Sequence, residues 1–323
     1  MSEHISISLA ELLREPDSDE ANECLCTHCG YSQEDAFRTC PKCNKLAKWP
    51  TLAEWGKQLP IGVLINNEQF DKSFELVPLD WKIEREIGRS WAKRREQITL
   101  SDYVGTILAH TVTHVGGQDI TKFKFQKRLL IFNQMFQADV FYIYAYLRLV
   151  SMGNEMKLKD VECFSCNHKF EYVADLSTLE VVTIDNPKDM IEEIKLRDGF
   201  DMSGERRFNL KVKPPLWNML GSSFPTNMND AEMFAAMLMN ATHAIEGMPD
   251  GAVITEAQVS QFSKFDIEEC QESLDAVIAG PRWEIEGECP KCEASFFEAI
   301  DWTYDHFFAR SSRSRLRGRQ SRR

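Results

Sequence analysis

Eight of the ten cysteines in this 323-residue chain fall into four Cys-x-x-Cys pairs: Cys26/Cys29, Cys40/Cys43, Cys163/Cys166 and Cys289/Cys292. The two-residue spacing turns both thiolates of a pair toward one point about 2.3 Å away, and two such knuckles complete a closed four-sulfur zinc site without an open coordination position. Four pairs therefore predict two structural Zn2+ ions. Two such sites within one chain bring the knuckles together two by two; the alternatives are a knuckle that meets a partner chain or one left unmetallated and reduced.

The first two pairs are close in sequence. CTHCG and CPKCN are separated by ten residues, with Gly30 and Asn44 directly after each knuckle, where a left-handed backbone is useful. This predicts a compact zinc ribbon over 24–48. Cys24 lies two residues before Cys26 and reads as a bystander thiol. The other two pairs lie far apart, yet their surroundings repeat: VECFSCNHKFEYVADL at 161–176 and GECPKCEASFFEAIDW at 287–302. Overlaid, they match Glu162 with Glu288, Cys163 with Cys289, Cys166 with Cys292, Phe170 with Phe296 and Asp175 with Asp301. Each reads as a strand, a knuckle and a returning strand. Neither can close a site alone, so the two hairpins are expected to share one ion and clamp the 122 residues between Cys166 and Cys289 into a loop. His168 has no counterpart in the second hairpin, where Ala294 stands, and reads as a surface histidine.

Charge separates the body from the tail. The net of −12 includes a terminal stretch, 310–323, with seven arginines and no acid, which leaves −19 on residues 1–309. The only apolar residue in 311–323 is Leu316, so the tail cannot build a core and is expected to be disordered when free. Its composition fits phosphate neutralisation on nucleic acid, an acidic protein surface, or plain solubility. The partner-binding candidates there are Arg313, Arg315, Arg317, Arg319, Arg322 and Arg323. The acidic body argues against a DNA-binding scaffold. No run approaches the ~18 apolar residues of a membrane span, and the polar start MSEHISISLAELLREPDSDEANE lacks a secretion signal's basic-then-apolar order. A reducing compartment, with cysteines on metal rather than in disulfides, is expected.

Along the chain, a short helix and acidic linker (1–23) precede the ribbon. Residues 49–160 read as a helical domain: a charged helix-like stretch from Phe70 to about Arg95, a second from Leu100 to Val115, and two buried helices over 123–150 jointed near Gln137, Ala138 and Asp139. The stripe of Phe141, Tyr142, Tyr144 and Tyr146 reads as packing rather than a base-stacking platform. Residues 161–309 combine the split ribbon with an extended excursion over 178–213, a Met/Ala-rich helix and a final helical unit starting at Thr255 and ending at Gly280-Pro281. Cys270 inside that unit reads as a small buried residue. The fold class is α+β: a mostly helical body with two zinc-ribbon elements, the second assembled from two distant hairpins.

The residues now carry a resemblance. A helical layer, a central CxxC hairpin, the helical unit ITEAQVSQFSKFDIEECQESLDAVIAGP and the closing EIEGECPKCEASFFEAIDWTYDHFF together resemble the baseplate hub proteins of contractile, T-even-type phage tails and related contractile injection systems. The resemblance spans about residues 70–308. It implies structural or assembly work without catalysis, other baseplate or tail subunits as partners, no small-molecule substrate, and passage from host cytoplasm into the virion tail. It carries Cys163, Cys166, Cys289 and Cys292 onto the family's paired-cysteine pattern and leaves the first ribbon and the arginine tail unmatched.

Two other functional classes compete with it. His110 and His114 in HTVTH would share a helical face, but Thr111 stands where a HExxH zinc protease needs its glutamate, which removes the mechanism. A nucleophile elbow and a phosphate-binding loop with its lysine are both missing. The alternative reading is a nucleic-acid-binding zinc-ribbon protein using the ribbon and the tail. Against it, the ribbon's Arg38, Lys42, Lys45 and Lys48 are offset by Glu34 and Asp35, a net of only +2.

Overall fold

The computed structural model describes residues 24–25, 32–33, 49–65, 69–92, 100–186, 190–217, 230–249 and 252–300. The ligand candidates of the first ribbon, Cys26, Cys29, Cys40 and Cys43, and all the tail arginines lie outside the described residues. Beside the first knuckle a short antiparallel ladder is described, β1 (Cys24–Leu25) on β2 (Ser32–Gln33).

The rest follows in chain order. Helix α1 (Leu52–Trp55) is opened by a capping box between Thr51 and Glu54. A hairpin of β3 (Gln58–Ile65) and β4 (Gln69–Leu76) comes next, then α2 (Trp81–Ala92) and α3 (Leu100–Thr111). Strands β5 (Val112–Val115) and β6 (Gln118–Asp119) extend that hairpin into a four-stranded sheet. Helices α4 (Phe125–Gln134) and α5 (Gln137–Met152) lead into the hairpin β7 (Glu155–Glu162) and β8 (Lys169–Asp175). After β9 (Val181–Val182) the pattern begins again. Strands β10 (Glu192–Met202) and β11 (Glu205–Val212) form a hairpin, followed by α6 (Asp230–Ala241) and β12 (Thr242–Ile245), which completes a three-stranded sheet. Helices α7 (Glu256–Val259) and α8 (Lys264–Val277), the short β13 (Gly280–Pro281), and the hairpin β14 (Glu284–Glu288) and β15 (Ser295–Ala299) close the described chain.

The two halves are one motif used twice, down to the hydrogen bonding. Strand β4 meets β5 as Phe74 with Val115, Glu75 with His114 and Leu76 with Val112, slipping one residue after Glu75. Strand β11 meets β12 as Leu210 with Ile245, Lys211 with Ala244 and Val212 with Thr242, slipping at the same place. Both leading strands carry a bulge, between Gln58 and Val63 in β3 and between Lys195 and Phe200 in β10. A glycine with positive φ sits in each, Gly62 at 99° and Gly199 at 66°. A Cβ on Gly62 would lie 2.6 Å from the Asp71 carbonyl oxygen, so close approach as well as conformation requires glycine there.

A bulge leaves amides without ladder partners, and here a buried carboxylate takes them. Asp139, the third residue of α5, accepts from the amides of Ile61 (2.9 Å) and Gly62 (3.0 Å). Asp266, the third residue of α8, accepts from Arg197 (2.6 Å) and Asp198 (3.2 Å). Burial pushes Asp139 up to about 6, while the two amides and nearby Lys72 pull the other way. The cores differ. Helix α5 is buried around nearly its whole girth, with Val140, Phe141, Tyr142, Ile143 and Tyr144 all in the larger core. Helix α8 buries Cys270, Leu274 and Val277 and turns Glu268, Glu269, Glu272 and Asp275 to solvent. The C-terminal hairpin's Ile285, Phe296 and Ile300 join the core of the first unit, not that of the second.

The fold is α+β, with more strand than a mostly helical body would have. The stretch from Phe70 to Leu76 is a strand rather than part of a helix, because Phe70 and Phe74 face inward at even spacing. The segment from Leu100 to Val115 changes from helix to strand at Val112. The joint between α4 and α5 falls at Met135-Phe136, and Thr255 opens α7 through a capping box with Gln258.

Asp139→Ala or Asp266→Ala orphans two buried amides and should lower unfolding free energy by about 2–4 kcal/mol in chemical denaturation. Asp139→Asn should in addition remove a pH slope. The folded value of about 6 lies above the ordinary ~3.9, so this group's contribution is full below about pH 4 and is lost as pH rises through 6.

Candidate metal centre

Each knuckle is built by the same backbone bonds. The Cys163 amide donates to the His168 carbonyl (3.0 Å) and the Asn167 amide to the Cys163 carbonyl (2.8 Å); the Cys289 amide donates to Ala294 (2.9 Å) and Glu293 to Cys289 (2.9 Å). The residue after each second cysteine turns left-handed, Asn167 with φ 53° and Glu293 with φ 58°. Asparagine tolerates that region well, glutamate less so.

The two knuckles meet. Sγ of Cys163 lies 3.6 Å from Sγ of Cys292, and Sγ of Cys166 lies 3.8 Å from Sγ of Cys289, so each hairpin's first cysteine faces the other's second. All four sulfurs lie within 4.8 Å of one another. Sulfurs bound tetrahedrally at ~2.3 Å have edges of about 3.8 Å, so the donor set fits one metal ion of that preference. Among the described residues this is the one group of three or more such side chains in metal-binding proximity. Burial disfavours the Cys163 thiolate, but amides of Cys166 and Ser165 and the facing Cys292 and Cys289 outweigh it and bring the group down to about 7. At Cys292 the Ala294 amide favours the thiolate, yet the Cys166 sulfur, desolvation and the other two sulfurs push it up to about 12.

Aromatic packing seals the junction. Phe296 is edge-on to Phe170 (5.4 Å) and to Tyr172 (5.1 Å), joining β8 to β15. Gly287 makes room for it, since a Cβ there would lie 2.7 Å from the Phe296 ring. His168 stacks on Phe170 and stays outside the sulfur group. Cys270 is fully buried in the second core, where burial pushes its thiol up to about 12.

The HTVTH pair does not converge. Helix α3 ends at Thr111, so His114 sits on β5 beside Glu75, Nδ1 to carboxylate 3.1 Å. His110 remains on α3 against the Phe125 ring, 3.8 Å from Glu86; burial and Arg128 lower its pKa, and Glu86 opposes them. In the sequence, Asp139 reads only as part of a helix joint and Asp266 has no role. Their cue was a lone acid in an otherwise apolar helical face.

The sequence model of a family described as T4 bacteriophage base plate protein matches residues 99–308. The chain belongs to that family. The match takes in all four junction cysteines and stops short of the arginine tail. No curated protein and no solved structure matches the chain. Among the described residues no helix is long and apolar enough to cross a membrane. A baseplate protein has its place in the phage tail, with other tail subunits as neighbours.

Phe296→Ala should cost about 3–5 kcal/mol, because it empties the contact between hairpins. Phe297→Ala, next along β15 but exposed, should stay within about 0.5 kcal/mol. Urea denaturation of both variants checks the contrast.

Proposed function

We propose that this chain is a structural or assembly component of a phage-tail baseplate whose form is held by structural zinc, one ion at Cys163, Cys166, Cys289 and Cys292 and a second at Cys26, Cys29, Cys40 and Cys43. The observation that carries the reading is the tetrahedral spacing of four sulfurs from hairpins more than a hundred residues apart, inside the family-matched region. Zinc suits four thiolates without redox chemistry or an open position. When bound it would supply charge neutralisation and a fixed angle between hairpins. The second ion rests on the spacing of its knuckles alone.

Thiolates committed to a closed site do not serve as nucleophiles, and the separated His110 and His114 offer no substitute, so the role is assembly rather than catalysis. The arginines of the tail would dock on an acidic face of a neighbouring subunit. Nothing in the described residues adds to the nucleic-acid alternative.

Elemental analysis of protein prepared under reducing conditions, without chelator, should find two zinc ions per chain. Cys163→Ser and Cys289→Ser should each lose one ion, lower the thermal midpoint and reduce incorporation into tails. One ion or fewer in the parent, or Cys163→Ser with zinc and stability unchanged, contradicts the reading. Removal of residues 311–323 should leave fold and zinc intact while slowing incorporation; normal assembly of the truncated chain would make the tail a solubilising appendage.

A further inference from the structure

Because the two units repeat, their contacts can be compared position by position. Where the chain leaves each sheet, the Val77 amide donates to the Thr111 carbonyl (2.8 Å) and the Lys213 amide to the Ala241 carbonyl (2.9 Å). Val77-Pro78-Leu79-Asp80-Trp81 and Lys213-Pro214-Pro215-Leu216-Trp217 therefore hold equivalent places. In the second unit this exit segment is docked on the helix joint of the first. Leu216 bridges Phe136, the Trp217 amide donates to the Met135 carbonyl and the Gln137 amide to the Pro215 carbonyl, both at 2.9 Å. The Trp217 ring stands edge-on to Phe141. Gly280, after α8, completes the contact, since a Cβ there would lie 3.1 Å from the Ala138 Cα.

The counterparts of these surfaces are uncovered. Trp81 is 73% exposed where Trp217 is 0%. Val77 and Val150 are exposed too, and the Leu79 amide, donating to Ser151 Oγ at 2.9 Å, holds the exit segment against the end of α5. Gly153, which follows α5 as Gly280 follows α8, has nothing within 4 Å of where its Cβ would stand. On the second unit the matching joint is Phe262-Ser263-Lys264-Phe265: the Phe262 amide donates to Val259 (3.0 Å) as the Met135 amide does to Phe132 (3.1 Å). Phe265 is exposed, and Ser263 has no bridge partner among the described residues. The contact is heterologous, an exit segment of one unit on the joint of another, and one surface of each kind is left over.

We propose that a second copy of this chain makes the same contact, with residues 79–81 of one chain seated on residues 262–265 of the next. Trp81 and Phe265 supply the apolar surface. Gly280 meets a small Ala138 within the chain, whereas the open space at Gly153 accommodates the larger Phe265 ring. Charge agrees with this pairing. Behind Trp81, α2 exposes Lys82, Arg85 and Arg89 along one face; behind Phe265, α8 exposes Glu268, Glu272 and Asp275 along one face. Lys264 offsets only Glu268, at 3.7 Å. Each added chain again leaves one exit segment and one joint uncovered, so the association runs head to tail, closing into a ring or growing as an open row.

The test is sedimentation equilibrium on the full zinc-loaded chain from low to high micromolar concentration. The parent should self-associate, and Trp81→Asp or Phe265→Asp should each weaken association by tenfold or more. Both positions are exposed, so zinc content and circular dichroism should match the parent. An equimolar mixture of the two variants should give a heterodimer and nothing larger, because one intact exit segment then meets one intact joint. A parent that stays monomeric throughout, association indifferent to either substitution, or a mixture that stays monomeric or grows beyond two chains would each overturn the proposal. A monomeric parent whose Trp81→Asp variant fails to enter tails would give the surface to another subunit and equally overturn it.

Discussion

Neither CxxC hairpin is complete without the other. Each presents two sulfurs and one side of an aromatic cluster, and each belongs to a two-stranded sheet of the size that is marginal in water on its own. Meeting across the four sulfurs, they bury Phe296 against Phe170 and Tyr172 and carry the end of the chain onto the core of the first unit. Closing a loop of 122 residues costs roughly 4 kcal/mol of chain entropy. The aromatic contacts and the ligand set are the local gains available to offset it.

The second constraint is internal to each unit. A bulge next to a positive-φ glycine bends the leading strand, and a carboxylate at the third position of the following long helix collects the amides the bulge leaves over. An ionised carboxylate in an apolar core is costly unless its lone pairs are used. Asp139 and Asp266 use theirs on the backbone, which fixes the helix against the hairpin in both units. The two helices differ in their outer surfaces: α5 is buried around nearly its whole girth, whereas α8 shows an acidic face.

The junction was legible in the sequence because cysteine spacing carries its chemistry wherever the chain goes, and because the matched Phe170 and Phe296 flank equivalent knuckles. The repetition of whole units was not legible. It resides in backbone pairing, such as the slip after Glu75 and after Lys211, which side chains as different as Glu75 and Lys211 do not announce. The strand at 69–76 was hidden by its charged members Asp71, Lys72 and Glu75, and the change from helix to strand at Val112 by an unbroken run of helix-compatible and β-branched residues. Resemblance located the family over nearly the span that the comparison returned, and it did so from the second knuckle and the aromatics behind it.

The way the last hairpin crosses back has a mechanical reading. The Cys163/Cys166 and Cys289/Cys292 knuckles meet, and the second unit lies in the stretch of chain between them. Tension applied between β7 and β15 would pass across the junction, by-passing β10 to α8. The second unit lies outside that path, held to the first by the Phe136–Leu216 bridge and by the Gln137 and Trp217 amides, which donate to the Pro215 and Met135 carbonyls. Across the junction the load falls on the four cysteine side chains and the Phe170, Tyr172 and Phe296 rings.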